Sequence, residues 1–117
     1  MIRNKTGVWG EIFASRYLRD RGYKILSTNY VCRFGEIDIV ALKDNILCFV
    51  EVKTRNEKTE IRPMEAVDEG KIERLKMTAK SFISFSKIIG QTRFDVCEVY
   101  LDDNSALVNI NYIENAF

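Results

Sequence analysis

Apolar residues recur at three- and four-residue steps near the start of the chain: Val8, Trp9, Ile12, Phe13, Ala14, Tyr17 and Leu18. That period predicts a helix over 7–21 with one buried face. Asn4 or Thr6 is placed to cap its start, and Gly22 to end it. The period then falls to two. Tyr23–Asn29 predicts a first strand, and Glu36–Lys43 and Ile46–Lys53 predict two stronger ones joined by Asp44-Asn45, a two-residue turn signal. Residues 54–62 (TRNEKTEIR) are polar and without useful period, and read as a mobile loop. Pro63 suits the first turn of a second helix, whose stripe of Ile72, Leu75, Ala79, Phe82 and Ile83 should end near Gly90. Alternation returns over Arg93–Leu101, with Phe94, Val96, Glu98 and Tyr100 on one face and Cys97 and Val99 on the other. Ala106–Ile113 predicts a last, edge strand. The order αβββαββ makes this an α/β chain, and 117 residues make one domain.

The central hairpin carries the chemistry. With Asp44-Asn45 as its loop, Lys43 opposes Ile46, Leu42 opposes Leu47, and Val40 opposes Phe49; further out, Asp38 opposes Glu51 and Glu36 opposes Lys53. Ile37, Ile39 and Ala41 against Cys48, Val50 and Val52 form a wholly apolar face, whose burial fixes the register. The opposite face turns from apolar at the tip to ionic further on. Asp38 and Glu51 are like charges, and such a pair destabilises a sheet. A nearby cation such as Lys53 offsets that cost in one reading, giving an ion-pair patch. A bound divalent metal offsets it in the other. Oxygen ligands without imidazole or thiolate suit Mg²⁺ or Mn²⁺ rather than Zn²⁺. Lys53, two residues after Glu51, shares its face and can steady a developing anion or orient a water. Glu11 shares its helix face with Ala14 and Leu18; it either reaches this site or is an exposed glutamate beside a broad apolar arc.

Composition narrows the chemistry. Histidine is absent, which removes histidine-based metal sites, Ser-His-Asp triads and histidine bases. Three cysteines at wide spacing form neither a disulfide framework nor a zinc pattern. Cys48 and Cys97 read as buried packing thiols, and Cys32 as a loop residue. No apolar run is long enough to span a bilayer, and Met1–Gly10 lacks a secretory core, so the expected compartment is the cytoplasm. The net charge is only +1, but all 18 Lys and Arg lie in residues 1–94, while the acids Asp95, Glu98, Asp102, Asp103 and Glu114 follow with no base among them. A mixed, solvated surface accounts for the charge alone; the basic part can also meet a polyanion.

Gly10-Glu11, Gly35-Glu36-Ile37-Asp38-Ile39-Val40-Ala41, Phe49-Val50-Glu51-Val52-Lys53-Thr54-Arg55, Arg93-Phe94-Asp95-Val96 and Glu114-Asn115-Ala116-Phe117 together resemble the YraN-type family of small bacterial endonuclease-like proteins. That family resembles the restriction-endonuclease-like PD-(D/E)xK nucleases, including Holliday junction resolvases. The resemblance implies an αβββαβ core with a mixed central sheet flanked by helices, plus an extra C-terminal edge strand. It implies that Asp38, Glu51 and the Val52 carbonyl hold Mg²⁺ or Mn²⁺, that Lys53 stabilises charge or positions water, and that Glu11 orients the water or supports a second ion. Glu36 belongs to the Gly-Glu-Ile-Asp motif as an accessory residue. The motif proline is missing before Asp38, where Glu36-Ile37 stand instead.

Around this cluster, Arg33, Arg55, Lys58 and Arg62 lie on predicted loops, and Lys71, Arg74 and Thr78 on one stripe of the second helix. As a group they suit phosphates, Arg55 first among them. Trp9, Phe13 and Tyr17 fit core packing better than base stacking. Asp95 alternates with Cys97 and Val99 and reads as structural. The resemblance, taken with these readings, implies a metal-dependent endonuclease acting on DNA in preference to RNA, on branched or structured DNA among other substrates, with a symmetric dimer expected by analogy. The alternative is a non-catalytic nucleic-acid-binding or protein-interaction module of the same fold.

Overall fold

The computed structural model describes residues 5–58 and 69–117. Its elements are α1 (Lys5–Asp20), β1 (Lys24–Cys32), β2 (Gly35–Lys43), β3 (Ile46–Asn56), α2 (Glu69–Ser86), β4 (Gln91–Leu101) and β5 (Leu107–Ile113). The order is the expected αβββαββ. Asn4, the Thr6 side chain, Arg62 and Pro63 lie outside what is described. The five strands form one sheet in sequence order, antiparallel throughout except for the parallel pair β3–β4. The parallel pair requires a crossover, which α2 supplies.

The two helices cover opposite faces. Ala14 and Leu18 of α1 are fully buried against Ile39, Ala41, Cys48, Val50, Cys97 and Val99. Ala79 and Phe82 of α2 bury Ile37, Val40, Leu47 and Phe49, with Phe82 edge-on to Phe49 and to Tyr30. The α/β sandwich with a C-terminal edge strand is the restriction-endonuclease-like architecture expected from the sequence. Phe13 packs against the core and Tyr17 stacks on Tyr112, while Trp9 stacks on Phe13 with 38% of its surface exposed.

Three element boundaries among the described residues differ from expectation by three residues or more. The segment 54–56 continues β3 instead of starting a loop, because β4 pairs with it as far as Asn56↔Leu101. The second helix stops at Ser86 rather than near Gly90. Lys87 turns left-handed (φ 58°) and its N–H caps the Ile83 carbonyl. Gly90 serves the next strand: a Cβ there would lie 2.7 Å from the Asn45 carbonyl oxygen. Finally, β1 runs on to Cys32, so Cys32 ends a strand and is half-buried, not a loop residue.

The hairpin register is the expected one from Lys43↔Ile46 to Ile39↔Val50, with Asp44 and Asn45 both at positive φ in the turn. It then changes. Ile37 does not join Ile39 and Ala41 but packs in the cluster under α2. The partner strand switches face at the same rung: Thr28 pairs with Ile39, Tyr30 with Ile37, and Asn29 between them has φ 56°. A left-handed residue breaks the two-residue alternation, and both strands crease together at Asn29 and Asp38.

Candidate active site

Asp38 sits on that crease. The β2–β3 ladder ends at Ile39↔Val50, so Asp38 does not continue it to Glu51 as a backbone pair. Its side chain does so instead: Oδ2 accepts the Val52 N–H at 2.8 Å. Placed where two strands fork, Asp38 lines clefts on both sides of the sheet. On the α2 side it shares a cleft of about 200 Å³ with Glu36, Glu51, Lys71, Leu75, Phe94 and Phe117. On the α1 side it shares a second cleft with Glu11, Ser15, Arg19, Thr28 and Asn29. Burial raises the Asp38 pKa; the Val52 N–H opposes this, and Glu11, Glu51 and Glu36 push it further up, in that order. Asp38 therefore senses the other three carboxylates.

Glu11 reaches this rung because α1 comes unusually close to β3. A Cβ on Gly10 would run into the Thr54 hydroxyl and Cβ, so only glycine permits the approach. Glu51 projects from β3 into the α2-side cleft. Its Oε1 accepts a hydrogen bond from Lys71 Nζ at 3.0 Å, and its Oε2 is buried with no hydrogen-bond partner among the described residues. Lys53 lies between Glu51 and Arg55 on the same side of β3, half-buried, with its backbone beside Glu98 and outside the cleft wall proper. Glu36 is exposed at the rim.

Among the described residues, no three His, Cys, Asp or Glu side chains are set in this conformation to hold a metal ion. Asp38 is engaged by Val52, and Glu51 by Lys71. The donor set still fits a hard divalent cation. Its atoms are carboxylate oxygens, Glu36, Asp38 and Glu51 line one cleft, and one buried oxygen of Glu51 lacks a partner among the described residues.

The basic residues divide. Arg33 and Arg74 are exposed, Arg33 lying over the Phe34 ring. Lys71 is in the cleft wall, on Glu51. Arg55 is instead committed to Glu98, at 3.0 Å, and Glu98 is buried and also receives Asn111. Lys58 pairs with Asp103 at the surface. Thr78 is buried, and its hydroxyl donates back to the Arg74 carbonyl at 2.7 Å, so it cannot present itself to a phosphate as expected.

Asp95 is structural, as its alternation suggested. It is fully buried, and Arg93, the Tyr112 hydroxyl and the Asn115 N–H all donate to it; Arg93 also reaches Tyr23. With the Ala116 N–H on the Phe94 carbonyl, this network lays the last residues beside the α2-side cleft. Sequence reasoning did not foresee it, nor the Lys71–Glu51 pair. The Arg-Phe-Asp-Val and Glu-Asn-Ala-Phe segments quoted for the resemblance were the available signal for the network.

A family model described as "Uncharacterised protein family UPF0102" matches residues 10–99. The chain belongs to the UPF0102 (YraN) family. A UPF0102 protein of Caldanaerobacter subterraneus is 44% identical over 99% of this chain and 98% of its own length. UPF0102 proteins of Clostridium novyi and Syntrophomonas wolfei are each 41% identical, over 95% and 99% of this chain and 93% and 100% of their own lengths. The UPF0102 match includes Gly10-Glu11, the creased hairpin and Arg93–Val99, and therefore every carboxylate of the site. No helix among the described residues is long and apolar enough to cross a membrane.

Proposed function

We propose that this UPF0102 chain is a metal-dependent endonuclease that hydrolyses phosphodiester bonds in DNA, with branched or structured DNA as a substrate class. The observation that carries the reading is Glu51 Oε2, a buried carboxylate oxygen without a partner among the described residues, in the cleft it shares with Asp38. A buried, unpaired carboxylate oxygen is costly unless something arrives to bind it. Asp38, Glu51 and the Val52 carbonyl are the groups that would hold Mg²⁺ or Mn²⁺. When bound, the ion lowers the pKa of a water and neutralises a phosphate oxygen.

The chain's own residues supply the rest. The Val52 N–H fixes the Asp38 carboxyl on the crease. Glu11, across the sheet, accepts a proton or orients water on the α1 side. Lys53 places an ammonium beside the reacting phosphate as its charge grows. Arg33, Lys71 and Arg74 steer the backbone, and Glu36 tunes the rim. A symmetric dimer belongs to the same reading. β5 is the outer strand, Leu107-Val108-Asn109-Ile110-Asn111-Tyr112-Ile113; centred on Ile110 it reads alike in both directions, with no charged side chain, so two copies can pair antiparallel edge to edge.

The test is cleavage of duplex, flap and four-way DNA with Mg²⁺ or Mn²⁺. Wild type should cut, while Asp38→Ala and Lys53→Ala should lose at least about a hundredfold in rate, the usual scale for a removed charge-stabilising group. Equal cutting by all three assigns the activity to a contaminant. The second reading, a non-catalytic nucleic-acid-binding module, draws on the engagement of Asp38 by Val52 and of Glu51 by Lys71. Salt-sensitive DNA binding without any calorimetric signal for divalent ions would favour it.

A further inference from the structure

The α2-side cleft holds a cation of the chain's own. Lys71 reaches from the first turns of α2 to Glu51 Oε1 at 3.0 Å, with the two side chains 37% and 25% exposed. It is thus half-shielded from water, and the pair ties a helix to a strand rather than two neighbours on one element. A lysine ammonium is a compact point charge on a flexible four-carbon stem. It can leave a carboxylate and reach solvent while the helix stays in place, and the rotation needs no change in the burial of Ala79 and Phe82, two to three turns further along α2.

We infer that Lys71 is a resident counter-ion for Glu51, one that stabilises the metal-free site and is displaced when a divalent cation enters. The inference rests on the metal-dependent reading above. An ammonium on Oε1 and a divalent ion on Oε2 of one carboxylate repel each other, so each weakens the other's hold on Glu51. Without Lys71, Glu51 would be a largely buried carboxylate close to Asp38, with neither oxygen hydrogen-bonded among the described residues. The exchange also has a product: a lysine ammonium no longer held by Glu51 at the wall of the cleft, where a phosphate would lie. One residue then serves Glu51 before the ion binds and the polyanion afterwards.

The exchange is measured on the full chain with Mn²⁺ alone, by calorimetry or by the loss of the free-ion paramagnetic signal. Lys71→Met should bind Mn²⁺ about tenfold more tightly than wild type, within the usual range of coupling between linked equilibria. Lys80→Met, which removes an exposed charge from the same helix, should change binding less than about twofold. In wild type, the rate of Lys71 acetylation followed by mass spectrometry should rise when Mn²⁺ is added, a readout that needs no variant to fold. Equal or weaker Mn²⁺ binding by Lys71→Met, or labelling insensitive to Mn²⁺, overturns the inference and leaves the metal-dependent reading standing. Absence of Mn²⁺ binding to wild type and to Lys71→Met at millimolar ion overturns both.

Discussion

Burial raises the Asp38 pKa, and the carboxylates of Glu11, Glu51 and Glu36 add to it against the Val52 N–H. The folded chain therefore holds that proton more tightly than the unfolded one, and stability falls as pH rises from the ordinary aspartate range through the raised one. Asp38→Asn keeps an acceptor for Val52 and removes the charge. In urea denaturation at pH 7 without metal it should be more stable than wild type by on the order of 1 kcal/mol. The thiols titrate at the other end of the scale. Burial pushes Cys48 up to about 11 and Cys97 up to about 12, from an ordinary 9.0. Between those limits the unfolded chain has released protons that the folded chain keeps, so the urea midpoint should fall as pH rises from about 9 towards 11. Near neutral pH one thiol, Cys32, should react with a disulfide reagent well before the other two. Burial of Cys48 and Cys97 was legible from their place among alternating apolar residues. The state of Cys32 was not, because burial, which raises its pKa, is outweighed by hydrogen bonding involving Phe34, Ser81, Thr78 and Gly35, which come together only in three dimensions.

Elements meet where side chains are smallest. The approach of α1 to β3 depends on Gly10, and it sets the position of Glu11. Gly10→Ala should cost about 1–3 kcal/mol in unfolding free energy, the range for overpacking a tight contact. In a Thr54→Ala background the penalty should shrink, and a double-mutant cycle by thermal denaturation measures the difference. Element order, the hairpin register up to Ile39 and the edge character of β5 could be read from the sequence, because period and turn chemistry are local. The crease could not. Asn29 gives no pattern that marks it as left-handed, and Ile37 looks like one more alternating apolar residue until Tyr30 is seen on the same side. The end of β3 escaped for a related reason: Thr54, Arg55 and Asn56 have polar side chains, and only their pairing with β4, more than forty residues later in sequence, makes them a strand.

At the scale of the molecule, the sheet has two outer edges, β1 and β5. β5 meets an unpaired edge with Leu107 and Val108 exposed and without a charged side chain of its own. Edge strands of this kind invite pairing unless a lysine or a proline interrupts them. Wild type should therefore sediment as a dimer at micromolar concentration, and Val108→Lys, at an exposed position, should sediment as a monomer with unchanged circular dichroism. The site as a whole was half legible. Asp38, Glu51, Lys53 and Glu11 could be singled out from hairpin pairing and a familiar motif, since those carry chemistry in their identity. Lys71 on Glu51, Arg55 on Glu98 and the burial of Thr78 required the third dimension, because a cation's partner is chosen by the fold and not by its neighbours in sequence. The crease also makes the sheet thin, in an electrical sense, at one rung. Asp38 faces a cleft on either side, so a positive charge arriving from below alters the field at Glu11 above with no atom moving in between. Whatever neutralises that carboxylate on one side will be felt on the other.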